Sequence, residues 1–113
     1  MSNVPNQAPI VLTAAGAIVA VAPFATYAIT AAAAIALTLA APVADGIELT
    51  FVDEGGHAHT IVCTGAGSPP TAGLNGGTTN NELTFGGTKG NACTIYSRNG
   101  FWWTCALASV TVS

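Results

Sequence analysis

Charge is what this 113-residue chain has least of: 6% of its residues are Asp, Glu, Lys or Arg, against roughly 25% in an ordinary soluble domain. No charged side chain occurs between Met1 and Ala44, and Lys89 and Arg98 are the only basic residues. Two cations cannot neutralise a run of phosphates, so the sequence gives no basis for nucleic-acid binding. It also has no polybasic patch for anionic lipid. A positive n-region is missing from "MSNVPNQAP", so the opening does not read as a signal peptide. Residues 10–44 are almost continuously non-polar, but they are mostly Ala and Thr, with Pro23 and Pro42 among them. They lack the Leu/Ile/Phe richness and the Lys/Arg flanks of a membrane-spanning helix. No CxxC spacing occurs among Cys63, Cys93 and Cys105, which argues against a zinc ribbon or a thioredoxin-like site. Three reduced thiols in a cytosol-assembled protein are the simpler reading.

Half of the residues are apolar. A soluble surface usually needs about 25–35% charged residues, so a lone monomer of this composition is poorly solvated. Other chains are therefore expected to cover much of its surface, in an obligate oligomer or a larger assembly. The length fits one domain with a modest core. Residues 1–23 read as an N-terminal arm or first strand that makes assembly contacts, and 24–113 as a β domain. The apolar positions expected at partner contacts are Pro9, Ile10, Val11, Leu12, Phe24, Tyr27 and Trp102.

Strand-like alternation dominates the rest. In Ala31–Ala41 the four alanines favour helix by propensity, but Ile29, Ile35, Leu37 and Leu39 share one parity, which favours a strand. The segments LTAAGAI (Leu12–Ile18) and ITAAAAI (Ile29–Ile35) share a pattern that is either chance in an Ala-rich chain or the mark of two similar strands. Ile47, Leu49 and Phe51 alternate with Glu48 and Thr50 as a half-buried strand. "DEGG" then reads as a tight hairpin turn, with "HAHTIVC" as the returning strand. "TGAGSPPTAGLNGGTTNN" reads as a long surface loop. "ELTFGG" is a short strand. "NACTIYS" and "FWWTCALA" form a hairpin through Asn99-Gly100, and "SVTVS" is a last strand. The sum is an all-β chain of about seven or eight short strands, folded as a single sandwich, jelly roll or barrel.

"DEGGHAHTIVC" places Asp53, Glu54, His57, His59 and Cys63 within eleven positions. His57 and His59 share a strand face, a spacing found in metal sites, but a third ligand is hard to supply from one chain. The preferred reading is a hairpin whose acidic turn and histidines face solvent or a neighbour. Replacing each histidine by Ala would then cost at most about 1 kcal/mol. A metal shared across an oligomer axis by His57 and His59 stays open. A nucleophile with a base and an orienting group is not found, and the Gly-rich loop lacks the Lys of a phosphate-binding loop. In the last hairpin Arg98 pairs with Phe101, Ser97 with Trp102 and Tyr96 with Trp103. Tyr96, Phe101 and Trp103 are then expected on the core face, with Trp102 at a subunit or ligand surface. Continued without a break, this register sets Cys93 opposite Ala106 and Cys105 opposite Thr94. The two thiols then lie on opposite faces, where no disulfide can join them.

"IALTLAAPVADGIELTFVDEGGHAHTIVC", the Gly-rich loop, "LTFGGTKGNACTIYSRNGFWWT" and the terminal β tail together resemble small β-rich structural modules of tailed bacteriophages. Such modules serve as capsid decoration (cement) proteins, head fibres and tail-fibre segments. The resemblance spans Tyr27–Ser113, while the uncharged Ala-rich start departs from it. It implies a homotrimer seated on the major capsid protein at the outer surface of the virion, assembled in the host cytoplasm, with no catalytic residues and no cofactor. Two rival expectations are a fibre or spike module that stacks a host-surface glycan on Tyr96, Trp102 and Trp103, and a trimeric tip clamped by metal on His57 and His59.

Overall fold

A computed structural model describes residues 8–67, 71–77 and 79–113. The first seven positions of the polar arm, and residues 68–70 and 78 of the Gly-rich loop, lie outside the described residues. Ten strands form: β1 Ile10–Leu12, β2 Gly16–Ile18, β3 Phe24–Ile29, β4 Ala36–Leu39, β5 Glu48–Asp53, β6 Thr60–Cys63, β7 Glu82–Phe85, β8 Ala92–Arg98, β9 Phe101–Ala108 and β10 Val110–Val112. They build two five-stranded sheets, β1-β3-β5-β8-β9 (sheet A) and β2-β4-β6-β7-β10 (sheet B). The all-β expectation holds, with ten strands rather than seven or eight, in a sandwich-like pair of open sheets. No helix occurs among the described residues, and so none is long and apolar enough to cross a membrane.

The first six strands alternate between the sheets, and within each sheet they pair in parallel. The chain therefore winds as a coil. Each turn lays one strand in sheet A and the next in sheet B. The last four strands add two more layers by antiparallel pairing. Parallel neighbours need a connection that leaves the sheet, and here the opposite sheet supplies it.

The inward residues are the apolar members of each alternation. Leu49 and Phe51 of β5, Ile61 of β6, Leu83 and Phe85 of β7 and Ile95 of β8 are all buried. Tyr27 stacks on Phe51 with ring centroids 4.9 Å apart. The twin heptads begin at equivalent places in successive turns, because Leu12 pairs with Ile29 in register and both end a strand of sheet A, but they do not end so: Ile18 pairs with Leu39, four residues beyond Ile35. Both lead the chain from sheet A to sheet B, the first ending in β2 itself and the second stopping just before β4, so they are not two similar strands. In Ala31–Ala41 only Ala36–Leu39 is strand, with Leu37 and Leu39 inward as their parity requires.

Two sequence expectations fail in the fold. Asp53 ends β5 in sheet A and Thr60 starts β6 in sheet B. "DEGGHAH" is therefore a corner between sheets and not a hairpin. Gly55 is required there because a Cβ would run into the carbonyl oxygen of Ala31 in the corner beneath. The Gly-rich segment is also more than a surface loop. Leu74 is fully buried in the core, and the Trp102 N–H donates to the Gly73 carbonyl at 2.8 Å. The segment thus covers the first part of the β9 edge, satisfying backbone groups that an edge strand leaves unpaired.

Candidate functional site

The corner after β5 gathers the residues that looked most chemical. Asp53 and His59 are both fully buried. Asp53 Oδ1 accepts the backbone N–H groups of Gly55 and Gly56 at 3.0 and 2.8 Å, and Oδ2 accepts that of His57 at 3.1 Å. His59 Nδ1 accepts the Ile35 N–H at 3.1 Å. That acceptor role fixes the proton of the neutral ring on Nε2. Nε2 faces Asp53 Oδ1 at 3.3 Å, outside hydrogen-bond alignment, so the contact is electrostatic.

This arrangement binds backbone, not substrate. Asp53 closes its own corner, and His59 ties that corner to Ile35 in the turn below. Burial of both groups corrects the expectation of solvent-facing histidines. It also removes His59 from any metal shared across an oligomer axis, since a fully enclosed ring cannot reach a neighbour. His57 is half-buried, with its ring centroid 6.0 Å from that of His59. No group of three or more His, Cys, Asp or Glu that could hold a metal occurs among the described residues.

The last hairpin has the expected start. Arg98 pairs with Phe101, Ser97 with Trp102 and Tyr96 with Trp103. Asn99 and Gly100 both take positive φ, 54° and 81°, as a type I′ turn demands. Its faces, however, are the reverse of those expected. Trp102 is fully buried and its Nε1 donates to the Ala40 carbonyl at 3.0 Å, while Tyr96 is exposed and Phe101 and Trp103 are half-buried. The reason lies in β8, whose Cys93, Ile95 and Ser97 share the face of Trp102. Ile95 and Cys93 draw that face inward, while Thr94, Tyr96 and Arg98 stay outside.

The register then breaks. Ile95 pairs with Thr104 but Thr94 pairs with Ala106, so Cys105 is the extra residue of a β-bulge. Cys93 consequently faces Leu107, not Ala106, and Cys105 has no partner in the ladder. The Cys105 thiol donates to the Thr94 carbonyl at 3.3 Å. All three cysteines are free, with Cys63 and Cys93 buried and Cys105 exposed. Burial, with a smaller contribution from a neighbouring thiol, pushes Cys63 and Cys93 up to about 12. Beyond the bulge, Leu107, directly opposite the buried Cys93, is 45% exposed. A shallow cavity of about 150 Å³ opens there, lined by Ala92, Cys93, Thr94, Ala106, Leu107 and Ala108.

The residues expected at partner contacts separate into two groups. Pro9, Ile10 and Val11 are exposed, Leu12 is half-buried, and Phe24 is exposed on the outer face of sheet A. Tyr27 and Trp102 are core residues and are corrected as contacts: the folded chain already encloses both. Val19 and Val21, which sequence reasoning passed over, are exposed beside the first turn of the coil, Val19 by 76%. Their signal was present in "AIVAVAP". Ile18 and Ala20 point inward, and the valines fall on the other parity.

No family model matches this chain, and no curated protein matches it.

Proposed function

We propose that this chain is a non-enzymatic structural protein that works by packing against other chains, as a homotrimeric decoration protein bound to the major capsid protein on the outside of a virion. One observation carries the assembly part. The first turn of the coil is an open end: β1 and β2 each lie at an edge of their sheet, β1 exposes Ile10 and Val11, and the connection that follows β2 exposes Val19 and Val21, with no charged side chain in the whole turn. Edge strands that remain alone are usually guarded by charge, Pro or a bulge. Among the described residues this end has an adjacent apolar surface and a strand edge with no neighbour in its sheet, the two features that strand pairing between chains uses.

The capsid setting is supported by the sequence resemblance and by the charge-poor composition. The mechanism is mechanical. Apolar burial contributes about 25 cal/mol per Å² before association costs, so a modest interface repeated over a shell stiffens it. The test is co-sedimentation of the full chain with assembled capsid shells. The chain should pellet with the shells, and Val11→Lys with Val19→Lys should leave it in the supernatant while its melting temperature holds. A double variant that still pellets like the parent would remove the open end from the interface. A parent chain that never pellets would remove the capsid.

A further inference from the structure

The outer face of sheet A carries a second feature, independent of the open end. Register sets Phe24 opposite Glu48, Glu48 opposite Tyr96, and Tyr96 opposite Trp103. Directly opposed residues share a face, and the buried neighbours Ala25, Leu49, Ile95 and Trp102 fix that face as the outer one. Four side chains from four adjacent strands therefore form one straight row: aromatic, carboxyl, aromatic, aromatic. At strand spacings of roughly 4.8 Å the row is about 14 Å long.

The next row along the strands is made of hydroxyls. Thr26 pairs with Thr50, and Thr50 with Thr94. The Thr50 and Thr94 hydroxyls share a hydrogen bond at 3.0 Å. Arg98 lies on the other side of Tyr96, on the same face and exposed. Trp103 is already held in place: its Nε1 donates to the Arg98 carbonyl at 3.1 Å, and its ring lies beside Gly76, where a Cβ would approach within 3.3 Å. A fixed ring loses little freedom when something stacks on it.

We infer that this face is a binding platform for a neutral, extended oligosaccharide with equatorial linkages. A pyranose ring of that kind has apolar C–H faces and a rim of hydroxyls. Its faces suit Phe24, Tyr96 and Trp103, and its rim suits Glu48, Arg98 and the threonines. A row that runs across four strands suits a chain of sugars rather than a single one. A protein core is a poorer fit, because covering the row would bury the Glu48 carboxyl in the middle of an apolar contact, at a desolvation cost that needs a specific partner. The glycan expectation named Tyr96, Trp102 and Trp103; the platform keeps Tyr96 and Trp103, loses the buried Trp102, and adds Phe24 and Glu48, which lie far from the hairpin in sequence.

The test titrates the full chain with cellohexaose and chitohexaose, with isomaltohexaose as the flexible control, by calorimetry and by tryptophan fluorescence. Trp102 is enclosed, so a fluorescence change reports Trp103. At least one of the two β-1,4-linked probes should bind and the control should not. Tyr96→Thr and Trp103→Thr should each weaken binding about tenfold or more, as loss of a central stacking residue does. Glu48→Ala should also weaken it, while Thr38→Ala on the outside of sheet B should leave it unchanged. Should Trp103→Thr fail to fold, Tyr96→Thr and Glu48→Ala, at exposed positions, carry the same expectation. Failure of the folded parent chain to bind either β-linked probe at millimolar concentration would overturn the inference. So would equal binding by Tyr96→Thr and Glu48→Ala, or a fall in molar mass on either substitution, which would assign the face to chain–chain contact.

Discussion

At the scale of single residues, the corner after β5 depends on Asp53. Its two oxygens hold three backbone N–H groups, of which that of Gly55 is shared with the Ile29 carbonyl. Asp53→Ala should cost about 2–3 kcal/mol, because the part-buried N–H groups of Gly56 and His57 lose their acceptor while that of Gly55 keeps the Ile29 carbonyl. His59→Ala should cost about 2–3 kcal/mol, while His59→Asn, whose amide oxygen can still accept the Ile35 N–H, should cost less. Urea unfolding of the three variants checks the order. The sequence showed these residue types but not their partners. His59 and Ile35 are 24 positions apart, and no local pattern reveals that their corners stack.

The thiols make a second prediction at this scale. Cys63 and Cys93 ionise at about 12 in the folded chain, raised from 9.0 by burial. A folded value above the unfolded one means that the unfolded chain loses protons first. Stability is therefore whole below about pH 9 and falls as pH rises toward 12, by up to about 1.4 kcal/mol per pH unit for each thiol. Urea midpoints measured from pH 7 to 10.5 should decline only above about pH 8.5 to 9, and the decline should shrink in Cys93→Ala. A flat profile would contradict it.

At the scale of elements, alternation identified most strands, and Asn99-Gly100 identified the one true hairpin among those expected. What alternation cannot supply is the partner of each strand. "DEGG" has the glycines of a hairpin, yet the six residues between Asp53 and Thr60 turn a corner into the other sheet. Gly55 serves a close approach to Ala31, where a hairpin would have used it for its backbone angles. The repeated heptads matched the coil only where they begin, at Leu12 beside Ile29; four more residues enter the second turn before the next pair, Gly16 with Leu37. The orientation of the last hairpin was also legible, but in Cys93 and Ile95 and not in the aromatics. The bulge at Cys105 left no local signal and shifted the register by one. Deleting Cys105 is diagnostic. With the bulge, Ile95–Thr104 and Thr94–Ala106 become consecutive pairs, and stability should change by less than about 1 kcal/mol. In an unbroken register the deletion would flip every later side chain and destabilise strongly. Thermal melting separates the two.

At the scale of the whole molecule, five layers of paired strands enclose one core, from Ile18 near one end to Trp102 and Val110 near the other. Composition raised the expectation that other chains cover the surface; the β1–β2 end carries four of the exposed large hydrophobics, Ile10, Val11, Val19 and Val21, and Val43, 92% exposed, lies in the connection between β4 and β5. No side chain before Asp45 is charged, so no side-chain repulsion there opposes association. The most direct measurement is the molar mass of the full chain by light scattering after size-exclusion chromatography, beside Val11→Lys with Val19→Lys. Val11 and Val19 are 56% and 76% exposed, so the lysines should not disturb the core. The expected result is three times the chain mass for the parent and one chain mass for the double variant, with unchanged melting. A parent chain that runs at a single chain mass across micromolar concentrations would contradict assembly through the open end.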